Sequence, residues 1–480
     1  MKPIFAPALC AFLFVLSCAM NKAPTESNQG ATHLTAQPMK PPDAPPDLLL
    51  VLVGGLRADF GVPQILESGI RANTVPEHIP MARFQNTYVQ STIPLVSLGT
   101  VLTSRYPAAI PLCGLISRLP SDQAEHPWCT ELPDMYTTLP ELLAIYGYKT
   151  AIFHAGISGA SLITDGFAEA EDCTVSWQSS QTDWNRVTQS AESWWRDNSG
   201  HPRLLVVVTS DLNLSFRKDL VQRMGIPISE AIQLRHHGPW PSEKIAEVYQ
   251  GEVGQLAESI GGLMTGLHRL GSTTLTTVVG GLNGASLGES TGVGPIPRIF
   301  TFHDIPLERT SHVPLLVYGP DNTDTIDIAT PTELIDVLPT MAWWANAVVP
   351  QHAQGTNLLL RATNPYAEGM AYTETGDTLQ LRQGQYLYMF RNVRHHMSTI
   401  DPRLTAALNN PRGLIITQGL WNIEDDSAQL KNIISQERSK ATRLKQSIKR
   451  IRNERATPPP DYIHTDELLE MHLTKAEGYW

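Results

Sequence analysis

The run Leu48-Leu49-Leu50-Val51-Leu52-Val53, with prolines before it and Gly54-Gly55 after it, constrains the fold more than any other stretch of the chain. Six successive apolar residues leave neither face of a strand to water, so the segment reads as a strand buried on both faces of a parallel sheet. Comparable runs recur at Lys149 to Phe153, Leu204 to Thr209, Leu275 to Val279 and Val313 to Tyr318. Helical patterns lie between or beside them at Pro140 to Tyr146, Glu243 to Leu270 and Thr332 to Ala345. This alternation over residues 47–365 predicts one large α/β domain, a mostly parallel sheet with helices on both faces.

A small C-terminal α+β unit is expected over residues 366–425. There Leu379-Gln380-Leu381-Arg382 and Tyr386-Leu387-Tyr388-Met389-Phe390 read as a hairpin joined by Gln383-Gly384-Gln385. Residues 426–480 read as a basic helix, dense in Lys and Arg as far as Arg455, followed by a tail that opens on Pro458-Pro459-Pro460. Such a helix either binds a membrane surface or an acidic partner, or presents a solvated charged face.

Hydrophobic residues make up 42% of the chain and charged residues 17%, enough to bury a core and too apolar for a disordered protein. The net charge of −11 repels a phosphate backbone, so nucleic acid is not the expected partner.

The N-terminus has its own logic. Lys2 precedes an apolar run from Ile4 to Leu16, the layout of a secretory signal too short to span a bilayer comfortably. Val15-Leu16-Ser17-Cys18 resembles a bacterial lipobox, which would make residues 1–18 a lipoprotein signal and Cys18 a lipid anchor; the alternative is an ordinary cleaved signal with an incidental cysteine. Residues 19–46, rich in Pro, Thr, Ser, Gln and Ala, suit a flexible tether. The chain is therefore expected in a bacterial cell envelope, on the periplasmic or outer-membrane side, held to the membrane by lipid. In that oxidising compartment Cys113 and Cys129, flanking a loop-like stretch, are expected to form a disulfide. Cys173 is then buried as a small hydrophobe, or paired with one of the other two.

Several segments resemble the sulfatase family of the alkaline phosphatase superfamily. They are Gly54-Gly55-Leu56-Arg57-Ala58-Asp59, Leu102-Thr103-Ser104-Arg105-Tyr106-Pro107, Tyr146 to Ala151, and Val278 to Glu289. Ser311 to Pro320, Ile335 to Thr340, Gly419 to Ile423 and Glu477-Gly478-Tyr479 continue the series. The resemblance implies that family's α/β fold. It also implies a divalent cation held by carboxylates, a hydroxyl-bearing nucleophile, and an Arg, Lys and His set for the sulfuryl or phosphoryl oxygens.

Those chemical positions are where this chain departs. Gly54 and Gly55 stand where the family has two aspartates, and Leu282 and Asn283 stand where it has Asp-His or Asp-Asn. Thr92-Ile93-Pro94 resembles the nucleophile core but lies two residues too far from Arg105, and the family's Arg falls on Val96 or Leu98. The family's Gly-Lys-Trp-His segment is missing after Ala151, and its Asp-Pro-His triplet reads Asp211-Leu212-Asn213. His303 alone matches well. The expectation is a pseudoenzyme without a cofactor that binds an unidentified protein or glycan. The alternative is a hydrolase of sulfuric or phosphoric esters with a rebuilt site: Thr92 as nucleophile, His303 beside it, and Ca²⁺ or Mg²⁺ held by some of Asp59, Asp211, His303 and Asp304. A third possibility is an envelope structural protein whose cleft is packed shut.

Overall fold

A computed structural model describes residues 44–74, 80–110, 112, 132, 135–157, 159–164, 166–176, 181–212, 223–227, 229–230, 241–272, 274–287, 289, 305–319, 325–362, 369–376, 378–391 and 418–455. Cys18, Cys113, Cys129, His303 and Asp304 lie outside these residues.

In chain order the larger part comprises β1 (Leu48–Gly54), α1 (Val62–Asn73), β2 (Pro80–Tyr88), α2 (Pro94–Thr103), α3 (Leu139–Ile145) and β3 (Lys149–Ala155). Next come β4 (Glu169–Asp172), β5 (Thr174–Ser176), β6 (Gln181–Thr182), α4 (Trp184–Asp197), β7 (Arg203–Thr209), α5 (Ser242–Arg269) and β8 (Thr276–Asn283). The series ends with α6 (Glu308–Ser311), β9 (His312–Tyr318), β10 (Ile326–Ile328), β11 (Thr332–Glu333), α7 (Val337–Trp344) and α8 (Leu358–Ala362).

Nine of these strands make one sheet in the order β10-β2-β9-β8-β1-β7-β3-β4, with β11 pairing β2 beyond β10. β1 sits at its centre, parallel to β7 and β8, and every residue of β1 is buried. The unbroken apolar run is used as expected, because alternate side chains enter different layers. Leu48, Leu50 and Leu52 join the cluster built on α2, α3 and α7, while Leu49, Val51 and Val53 join the one built on α1, α4 and α5. β9 departs from the parallel pattern and runs antiparallel to both β8 and β2.

The Thr332 to Ala345 stretch is not one helix. Thr332 and Glu333 are extended and pair with β2, a 3₁₀ turn covers Leu334–Asp336, and α7 starts at Val337. The Glu333 carboxylate explains the break: it accepts hydrogen bonds from Tyr106 Oη at 2.6 Å and from the Tyr372 N–H at 2.8 Å, pinning that residue in a strand.

The second, antiparallel sheet contains β12 (Met370–Thr375), β13 (Thr378–Gln383), β14 (Tyr386–Arg391) and β15 (Gln418–Asn422) in that order. The expected hairpin is β13–β14, and Gly384 in its turn has φ 53°, a conformation that favours glycine. One face of this sheet carries α9 (Arg438–Arg455), whose Ala441, Leu444, Ile448 and Ile451 pack with Tyr372, Leu381 and Tyr388. The other face turns Thr373 and Thr375 towards the Val89–Thr92 segment. Cys173 is free and fully buried, and burial pushes its thiol up to about 12. No described helix is long and apolar enough to cross a membrane.

Candidate active site

The carboxyl ends of β1, β2 and β8 share one edge of the large sheet, and the segments leaving that edge carry the positions singled out in the sequence. At Gly54 the β1–β8 register shifts, so that Gly54 lies opposite Asn283. Gly55 follows with φ 84°, which fits a turn only glycine adopts easily, whereas Gly54 is ordinary strand. The Gly55 N–H donates to Asn283 Oδ1 at 3.3 Å, and Asn283 Nδ2 donates to the Gly284 carbonyl at 2.7 Å. Asn283 is fully buried, and its neighbour Leu282 is buried in the apolar layer beside α2.

Just beyond Gly55, Tyr249 Oη donates to the Gly55 carbonyl at 2.6 Å and accepts from the Arg57 N–H at 2.9 Å. The buried Arg57 guanidinium is held by Asp59 from Nε at 2.7 Å, by the Ala285 carbonyl at 3.0 Å, and by Glu289. Arg309 reaches the other oxygen of Glu289 at 3.1 Å. Burial opposes the charge on Arg57, but Asp59 and Glu289 outweigh it and its pKa rises. Burial likewise favours a protonated Glu289, yet Arg57 and Arg309 hold it below the usual carboxylate range. Asp59 is thus the counter-ion of an arginine.

Asp211 follows the end of β7 and is also committed elsewhere. One oxygen accepts from the Thr182 N–H at 2.6 Å and the other from Trp184 Nε1 at 2.8 Å, tying down the start of α4. Burial raises its pKa despite these donors. Asp59 and Asp211 therefore serve two different networks.

Thr92 precedes α2 and is completely buried. Its N–H donates to Thr375 Oγ1 at 3.1 Å, and the two hydroxyl oxygens lie 3.0 Å apart. Pro94 occupies the first turn of α2, where its missing N–H costs nothing. Val96 and Leu98, the two positions on which the family's Arg falls, are both buried in the apolar layer.

A divalent cation needs six or more oxygen ligands with negative charge among them. Gly54 and Gly55 offer no side chain, Leu282 offers an aliphatic one, Asn283 Oδ1 takes the Gly55 N–H, and Asp59 neutralises Arg57. The residues present at these positions do not fit the ion. Among the described residues no group of three or more His, Cys, Asp or Glu side chains is arranged to hold a metal.

One buried cluster at this edge escaped the sequence reading. Tyr88 Oη donates to Glu308 Oε1 at 2.9 Å and accepts from Arg382 Nε at 2.9 Å, while His312 Nδ1 lies 3.0 Å from the same Glu308 oxygen. The His312 ring stacks on Tyr88 with centroids 5.0 Å apart. Burial works against charge on His312 and on Glu308, but each favours the other's ionised form, so His312 is raised and Glu308 lowered. The only sequence signal was the i, i+4 spacing of Glu308 and His312; Arg382 comes from the other sheet.

Comparison with known proteins places this architecture. A putative sulfatase from Bacteroides thetaiotaomicron aligns with TM-score 0.60 at 16% identity, over 87% of this chain and 96% of that one. A phosphonate monoester hydrolase from Silicibacter pomeroyi aligns with TM-score 0.56 at 12% identity, over 85% and 96%. A 2-O glycosaminoglycan sulfatase aligns with TM-score 0.55 at 14% identity, over 90% and 93%. No curated protein sequence matches the chain. The family model described as Sulfatase matches residues 77–347, more than half of the 480 residues, and the chain belongs to the sulfatase family.

Proposed function

We propose that this sulfatase-family chain is a lipid-anchored envelope protein that binds or scaffolds a glycan or protein without hydrolysing it. The observation carrying this reading is the Gly55–Asn283 contact. Where the family places cation-binding side chains, a backbone N–H donates into the one side-chain oxygen that is available. Transfer of a sulfuryl or phosphoryl group develops negative charge that a cation and cationic side chains neutralise, and removing one such contact commonly costs several kcal/mol. Gly54, Gly55, Leu282 and either Val96 or Leu98 remove several at once.

Calorimetric titration with Ca²⁺ and Mg²⁺, together with turnover assays on aryl sulfates, aryl phosphates and aryl phosphonates, tests the reading. The expected result is no tight cation binding and no turnover. Cation-dependent turnover that disappears in Thr92→Ala would overturn it in favour of a rebuilt site using Thr92 and His303. The anchor is tested separately: Cys18→Ser should release the chain from membranes or stop leader processing, and an unchanged membrane-bound mature chain would sink that part.

A further inference from the structure

Nine large hydrophobic side chains are exposed among the described residues, and four of them form two adjacent pairs, Ile145-Tyr146 and Val348-Val349, on segments joined by a hydrogen bond. Ile145 is 76% exposed and Tyr146 40%, at the end of α3; Val348 is 74% exposed and Val349 38%, just beyond α7. The Val348 N–H donates to Tyr146 Oη at 3.0 Å, joining segments that are 202 positions apart in sequence. Side chains this apolar are ordinarily exposed singly, and a cluster marks a contact surface.

What covers this surface follows from where the chain enters the domain. Tyr148 Oη, two residues after Tyr146, donates to the Pro46 carbonyl at 2.9 Å. The patch thus adjoins the point at which the 19–46 tether becomes the core. A flexible chain of 28 residues, the number from Ala19 to Pro46, has a root-mean-square span of roughly 30 Å. A lipid at Cys18 therefore keeps the patch at high effective concentration beside a bilayer, where even a small apolar surface engages. Tyrosine suits the headgroup boundary, with its ring in the apolar region and its hydroxyl hydrogen-bonded.

We propose that Ile145, Tyr146, Val348 and Val349 form the surface on which the tethered domain rests against the membrane, an inference that depends on the anchor at Cys18. It carries an orientation. Tyr146 and Tyr148 precede β3, at the amino ends of the parallel strands, whereas Gly55, Thr92 and Asn283 lie at their carboxyl ends. Resting on the patch turns the Thr92 edge away from the bilayer. The basic helix α9 packs on the other sheet, beside strands that meet the Thr92 edge, so it does not share this surface.

The test uses the full mature chain, with and without Ile145→Asp/Val348→Asp, in vesicles of phosphatidylethanolamine and phosphatidylglycerol. Mass spectrometry of the mature N-terminus reads acylation, and amide hydrogen exchange reads contact. The expected result is an acylated chain whose exchange slows several-fold at residues 144–149 and 346–350 on vesicles, with that protection lost in the double variant while it stays vesicle-bound. An acylated, vesicle-bound chain without protection there, or with protection over 438–452 instead, overturns the patch and leaves the anchor standing. An unacylated chain that does not bind vesicles overturns both. An unacylated chain whose vesicle binding needs Ile145 and Val348 overturns the anchor, and with it the tethered resting surface inferred from it.

Discussion

The hydroxyls of Thr92 and Thr375 lie 3.0 Å apart, both buried, one before α2 of the large sheet and the other at the end of β12 in the small one. The candidate nucleophile is thereby a structural joint between the two sheets. Removing one member leaves the other buried without this partner, at a cost of about 1–3 kcal/mol. Thr375→Val should lower the urea midpoint accordingly, and the Thr92→Val/Thr375→Val pair should cost less than the two single changes summed. Strict additivity would show that the hydroxyls do not interact.

A second joint lies at the opposite edge of the sheet. Asp47 accepts from Arg203 Nε at 3.0 Å and Nη2 at 2.6 Å, and from Ser272 Oγ at 2.7 Å, while the Arg203 guanidinium stacks 4.2 Å from the Trp195 ring centre. Deleting one partner of a buried pair strands the other charge, which costs about 3–5 kcal/mol. Asp47→Ala should destabilise by that amount in denaturant titration. A shift no larger than that of an exposed ion pair would contradict the burial argument.

The His312–Glu308 pair sets a pH window. A histidine raised above its unfolded value near 6.5 contributes fully below that pH and loses its contribution as pH rises through the folded value. Glu308, held below the usual range, contributes above about pH 4.3 and loses this as pH falls through its own folded value. The stability gap between the native chain and His312→Gln should therefore be widest at about pH 5 to 6 and shrink towards pH 8.5. Urea midpoints at those pH values decide it, and a gap that widens with pH would reverse the assignment. Tyr88 and Arg382 both face this pair, so Arg382→Met should alter the size of the gap.

Gly284 gives a steric test. A Cβ there would collide with the Arg309 backbone carbonyl, and the Gly284 N–H already donates to the Thr310 carbonyl at 2.9 Å. Gly284→Ala should destabilise by about 1–3 kcal/mol through forced displacement of α6, visible as a lowered melting temperature. An unchanged melting temperature would mean that this segment yields freely.

The central strand was legible because Leu48 to Val53 has a single solution, burial on both faces. The β13–β14 hairpin was legible because Gly384 punctuates two apolar runs. The extended conformation of Glu333 was hidden because its cause, the bonds to Tyr106 and Tyr372, lies in distant parts of the chain. At the candidate site, residue identity told which side chains could not ligate a cation. It did not tell what they do instead: that Asn283 accepts from a residue 228 positions away, or that Thr375 meets Thr92 across 283. Such partnerships leave no local period to read.

The left-handed turn at Gly55 also bears on reversibility. An aspartate placed there would have to adopt φ near 84°, a conformation a side-chain-bearing residue takes only under strain, or else move the loop that Tyr249 and Asn283 hold in place. Placing one carboxylate at Gly55 therefore does not by itself create the geometry in which it would point at an ion. A cation-binding edge here would need several positions to change together, Gly54, Gly55 and Leu282 among them, and the backbone at Gly55 favours glycine over any residue that could ligate.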